Sequence, residues 1–127
     1  LVFCRRQAGP ASYLWVRLAE SAVNNGERDA HLDLDLCNFT GAGTFSRPHD
    51  TSVALTCGDG ETLDLWWHDG NRVFVSRSDS APCRVVVTPV AGGLEGTFEC
   101  RGLSPFPGGG TPRLDVVSGV FSCAFTG

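Results

Sequence analysis

Residues 31–36 read His-Leu-Asp-Leu-Asp-Leu, a strict alternation of polar and apolar side chains. Successive side chains of a strand point to opposite faces, whereas a helix would scatter these leucines around its circumference. The segment therefore predicts a strand with Leu32, Leu34 and Leu36 on a core and His31, Asp33 and Asp35 facing water. The same period recurs in residues 13–19, with Leu14, Val16 and Leu18 against Tyr13, Trp15 and Arg17. It recurs again in 62–68, with Leu63, Leu65 and Trp67 against Asp64, Trp66 and His68. No segment has helical periodicity.

Turn residues divide the chain at short intervals. Asn24-Asn25-Gly26, Gly58-Asp59-Gly60, Asp69-Gly70 and Gly92-Gly93 offer the positive φ angles of tight hairpins. Between them the pattern predicts strands over residues 13–19, 29–39, 52–57, 62–68, 73–76, 84–90, 94–103 and 113–125. Residues 41–50 read as an irregular connection, and 104–112, rich in proline and glycine, as a loop unable to carry ladder hydrogen bonds. The apolar run at 84–90 predicts a central strand covered on both faces. The phase slip at Val116-Val117 predicts a bulge at Ser118-Gly119. Strands joined mainly by hairpins predict a single all-β domain over residues 1–127. Its expected form is an antiparallel β-sandwich of about eight strands, with a small up-and-down β-barrel as the alternative.

Cys4, Cys37, Cys57, Cys83, Cys100 and Cys123 are spread along the chain with no C-x-x-C pair. That is the layout of a disulfide framework, not of a zinc or redox motif. Strand phase favours Cys100 with Cys123, since both share a face with core residues of neighbouring strands. Cys57 with Cys83 and Cys4 with Cys37 complete that set; Cys37 with Cys57 or with Cys83 is the alternative. Bridges of this kind place the chain in an oxidising compartment, secreted or at a cell surface. Lipidation of Cys4 is disfavoured, because Phe3 is bulky for the residue before a cleaved bond and an odd number of thiols would remain.

The chain has no Lys, Met or Ile, and all ten of its positive charges are Arg. Lysine-dependent chemistry, from Schiff bases to P-loop phosphate binding, is thereby excluded. A net charge of −4 with scattered arginines leaves no basic face for nucleic acid. No apolar run is long enough to be a transmembrane segment. The missing Met predicts a chain that begins after processing, with a signal peptide removed, or a piece of a longer one.

Asp64, Trp66 and His68 sit at i, i+2 and i+4 of one predicted strand and project from one face. An aromatic side chain flanked by hydrogen-bonding groups suits a sugar ring or a protein partner. These three are the candidate ligand-binding residues, with Trp15 and Tyr13 as companions; the plainer explanation is a tryptophan covered by a loop between two solvated polar groups. His31, Asp33 and Asp35 form a second row chemically fit to hold a divalent metal. Ordinary alternation produces that row, however, and the neighbouring sequence completes no ligand set, so no metal and no cofactor are expected. Gly58-Asp59-Gly60-Glu61 lacks the spacing of a calcium loop. There is no G-x-S-x-G, no H-E-x-x-H and no phosphate-binding loop at a helix start. No catalytic residue is assigned, and a small secreted hydrolase ranks last among the functions. Asn38-Phe39-Thr40 matches the N-glycosylation pattern.

Gly96-Thr97-Phe98-Glu99-Cys100 and Gly119-Val120-Phe121-Ser122-Cys123 form a pair of G-x-F-x-C segments. The pair resembles strands of poorly characterised bacterial secreted and lipoprotein-like β-domains. The resemblance is confined to the C-terminal third and carries over no functional residue. Cross-linking, missing catalytic motifs and apolar strands able to pack between copies predict a non-enzymatic structural or adhesive β-domain. Such a domain would be a subunit of a surface or extracellular assembly, partnered by itself or by another surface protein. The alternative is a soluble binding module for a carbohydrate or small ligand, using Asp64, Trp66 and His68, with a glycan as partner.

Overall fold

The computed structural model describes residues 2–7, 13–19, 31–48, 57, 62–69, 72–76, 83–106, 108 and 112–125. Ten strands follow in chain order: β1 (Val2–Gln7), β2 (Tyr13–Ala19), β3 (His31–Cys37), β4 (Gly43–Phe45), β5 (Arg47–Pro48), β6 (Thr62–Asp69), β7 (Arg72–Val75), β8 (Cys83–Val90), β9 (Gly93–Pro105) and β10 (Leu114–Ala124). The described residues contain no helix, and so none long and apolar enough to cross a membrane. The all-β, disulfide-stapled class expected from the alternation is the class observed. Strand β1 and the short β4 and β5 lie where no strand is predicted; of the predicted strand 52–57 only Cys57 lies among the described residues, outside any strand.

The ladders form one sheet in the order β1-β2-β3-β6-β7-β9-β8-β4, with β10 paired to β9 and β5 to β6. Strand β9 joins the two halves. Its residues 93–100 pair with β8, while Ser104 and Pro105 pair with β7, so the segment expected to be loop from 104 onward begins as ladder. Gly102, at φ 67°, lies between the two parts, a backbone conformation costly for any residue with a Cβ. The inner faces of both halves share one core. Leu14, Val16, Leu34 and Leu65 come from the first half, and Phe45, Val85, Leu94 and Phe98 from the second. Each buried side chain of this size contributes about 1.5–3 kcal/mol.

The bridges are Cys4 to Cys123, Cys37 to Cys57 and Cys83 to Cys100. The favoured pair Cys100 with Cys123 does not form. In the antiparallel register Cys100 lies opposite Val117 and Cys123 opposite Leu94. The two cysteines thus share a face but stand about 20 Å apart along the ladder, at the rise of a strand. Cys83 instead lies directly opposite Cys100 across β8 and β9, which also displaces Cys57 with Cys83. Cys4 reaches Cys123 on β10 instead of pairing with Cys37, and a sulfur engaged in that bridge leaves no thiol for lipidation. Cys37 with Cys57, the stated alternative, is formed.

Two further expectations fail for identifiable reasons. Strand β8 is covered on one face only: Val85 and Val87 are buried, whereas Arg84, Thr88 and Val90 are exposed. Its outer face, with those of β9 and β10, floors an open depression of about 450 Å³ that includes Val86, Thr97 and Val120. There is also no bulge at Ser118-Gly119, because the register from Val116↔Arg101 to Ala124↔Gly93 is unbroken. The glycines have another role. Gly96 faces Phe121 and Gly119 faces Phe98, and each ring lies over the glycine opposite it. A Cβ on Gly119 would come 2.9 Å from Phe98 Cζ, and one on Gly96 would overlap the Phe121 ring. The two G-x-F segments are therefore a reciprocal packing device, in which each strand supplies one ring and the space for its partner's.

Candidate ligand-binding face

The outer face of β2, β3 and β6 collects most of the polar and aromatic side chains singled out by the alternation. Register sets them in rows across the strands. Ala19, His31 and His68 make one row, Arg17, Asp33 and Trp66 the next, and Trp15, Asp35 and Asp64 the third. The predicted trio Asp64, Trp66 and His68 is thus one column of a larger surface. The structure brings to it Trp15, Arg17 and the whole row His31, Asp33 and Asp35.

Asp33 is the hub. Arg17 Nε donates to its Oδ1 at 2.8 Å and a terminal nitrogen of Arg17 to its Oδ2 at 2.9 Å, a two-point contact that fixes both side chains. Trp15 Nε1 donates to the same Oδ1 at 3.0 Å, and the Arg17 guanidinium lies 5.1 Å from the centre of the Trp15 ring. His31 Nε2 stands 3.8 Å from Asp33 Oδ2. The rings of His31 and His68 stack at 4.0 Å between centroids, 13° from parallel.

Trp66 is held on several sides. Its Nε1 donates to Asp64 Oδ2 at 3.0 Å, its plane runs near-parallel to His68, and the Phe106 ring meets it edge-on at 4.9 Å. Phe106 is placed by its amide, which donates to the Val73 carbonyl just beyond the short β7–β9 ladder. The expected covering loop is therefore real but partial, since Trp66 stays half-buried. Asp64 is buried, not solvated. The aromatic faces here are largely occupied by neighbouring side chains, so the surface offers polar edges more than a flat stacking platform.

Charge on this face is shaped by burial. Desolvation, with Asp64 directly opposite and Asp33 alongside, pushes the Asp35 carboxyl up to about 7 against the pull of Arg17. Burial and the neighbouring Asp35 raise Tyr13. Burial and the adjacent His31 lower His68, so it holds its proton less readily than an ordinary imidazole. His31, Asp33 and His68 each bring one ligand atom to within 4.8 Å of the others. The metal-like row in the sequence, His31 with Asp33 and Asp35, is thus not the group that converges: His68 from β6 takes the third place. Sequence reasoning missed this because β3 and β6 are neighbours only after the chain has passed through β4 and β5, and no pattern within one strand signals that pairing. No protein-family model, curated protein or solved structure matches this chain.

Proposed function

We propose that this protein is an extracytoplasmic binding module, secreted or held at a cell surface, that takes a polar ligand of the carbohydrate class on the outer face of β2, β3 and β6. The observation that carries this reading is the convergence on one sheet face of Trp15, Arg17, Asp33, Trp66 and His68, with Trp15 and Arg17 hydrogen-bonded to Asp33, Trp66 to Asp64, and His68 stacked on His31. Side chains held in advance lose little freedom on binding, which favours recognition. Because the ring faces are partly occupied, a glycan would be held chiefly by hydrogen bonds to carboxylate, guanidinium and imidazole edges. Three bridges among the described residues fit an oxidising compartment. The reading predicts that Arg17→Ala and Trp66→Ala each weaken oligosaccharide binding at least tenfold, about 1.4 kcal/mol, with the thermal midpoint kept within a few degrees. A glycan array on which the unaltered chain binds nothing would remove it.

A second reading, the structural or adhesive subunit, draws on the outer face of β8, β9 and β10. Val120 is 78% exposed on the outer face of β10, across Thr97 of β9 from the half-buried Val86 of β8. If copies or a surface partner pack there, Val120→Asp abolishes self-association seen by light scattering; a chain that stays monomeric at millimolar concentration counts against the idea.

A further inference from the structure

We propose that His31, His68 and Asp33 form a binding site for one divalent transition-metal ion of the zinc class, with a fourth coordination position open to solvent or ligand. The register supplies the first argument. His31 and His68 are direct partners across β3 and β6, and Asp33 follows His31 by two residues, so all three rise from the same face. Distances supply the second. The three ligand atoms lie within 4.8 Å of one another, and His31 Nε2 is 3.8 Å from Asp33 Oδ2. Tetrahedral zinc with bonds of about 2.0–2.1 Å separates its ligand atoms by about 3.3 Å. Coordination requires the His31 and His68 rings, which stack nearly parallel at 4.0 Å, to turn about their side-chain bonds so that their in-plane lone pairs meet at the ion.

The donor set decides the metal. Two imidazoles and one carboxylate suit zinc, copper or nickel, whereas magnesium and calcium take oxygen ligands. The surroundings meet a further requirement, since carboxylates that bind metals are oriented by hydrogen bonds of their own. Asp33 Oδ1 accepts from Trp15 Nε1 and Arg17 Nε, and Oδ2 from a terminal nitrogen of Arg17, which fixes the carboxylate; the second lone pair of Oδ2, 3.8 Å from His31 Nε2, is the one a metal would use. With three protein ligands, the site has the composition of one that keeps an exchangeable position, as catalytic and ligand-bridging zinc sites do. Binding of the metal does not depend on the glycan reading, because the probe is the metal alone: a chain that binds sugar but no metal defeats this proposal and leaves the other, and the reverse also holds.

The test strips the full chain with a chelator and titrates it with zinc chloride by calorimetry and with cobalt chloride by visible absorption. One metal per chain is expected, with cobalt bands of a four- or five-coordinate site. Binding should be about tenfold weaker or more in His31→Ala, His68→Ala and Asp33→Asn. Zinc should also shift the imidazole resonances of His31 and His68 in the unaltered protein, a readout that survives even if a variant fails to fold. Absence of binding up to about 1 mM zinc, equal affinity in the folded variants, or unmoved imidazole resonances would overturn the proposal.

Discussion

Replacing Cys4 and Cys123 together by alanine is expected to cost about 5 kcal/mol of stability, the largest loss available from any one bridge. These cysteines are 119 residues apart in sequence, against 20 for Cys37 to Cys57 and 17 for Cys83 to Cys100. A cross-link restricts the unfolded chain more as the loop it closes grows, which gives about 5 kcal/mol for the long loop and about 3 for each short one. The long bridge also does something the others do not. It ties β1 to β10, between which the described residues have one further ladder contact, the bridge between Cys4 and Phe125. Arg6 adds a cation over the Phe125 ring at 5.1 Å. Without the disulfide, the seam between β1 and β10 loses its main tie while each strand stays laddered to β2 or β9, and the edges so opened invite pairing with other chains. Urea unfolding of Cys4→Ala/Cys123→Ala beside Cys83→Ala/Cys100→Ala measures the contrast. Equal losses for the two double variants, or a smaller loss for the long bridge, would show that its reach along the chain is not what matters.

What the sequence made legible follows from what period two can and cannot report. Alternation says which face a side chain takes, and it placed Leu32, Leu34, Leu36, Leu63 and Leu65 in the core correctly. It also put Cys100 and Cys123 on the core side, where both are buried. It does not say which residue lies opposite, because register is a relation between strands. Hence the partner of Cys100 was misassigned although its face was right. The G-x-F-x-C segments show the same division. Their repetition is visible, but Ser118-Gly119 reads as a bulge until the register puts Gly96 against Phe121 and Gly119 against Phe98. The candidate site was legible by columns. Each strand announced its own polar row, whereas the rows that do chemistry run across strands and depend on β3 meeting β6.

Asp35 gives the second large effect, and its sign is unusual for a carboxylate. Folding pushes its carboxyl from an ordinary 3.8 up to about 7, first through burial and then through Asp64 and Asp33. Between those two values the native state keeps a proton that the unfolded chain has released. The associated stability is therefore complete below about 3.8 and is lost as the pH rises through about 7. The gap corresponds to a ceiling of about 4 kcal/mol. Asparagine mimics the protonated side chain at every pH. Asp35→Asn is thus expected to match the parent near pH 4 and to exceed it by up to that ceiling at pH 8, measured by urea unfolding in the presence of a chelator. Subtracting one chain from the other cancels the contributions the two chains share. A difference that stays flat with pH, or an asparagine variant less stable at pH 8, would refute the assignment. The direction bears on function as well. A destabilising charge retained at the centre of the face, between Trp15 on β2 and Asp64 on β6, is tolerated more readily if a bound cation or a hydrogen-bonding ligand offsets it. The stability gained by Asp35→Asn should then shrink when zinc or an oligosaccharide is present.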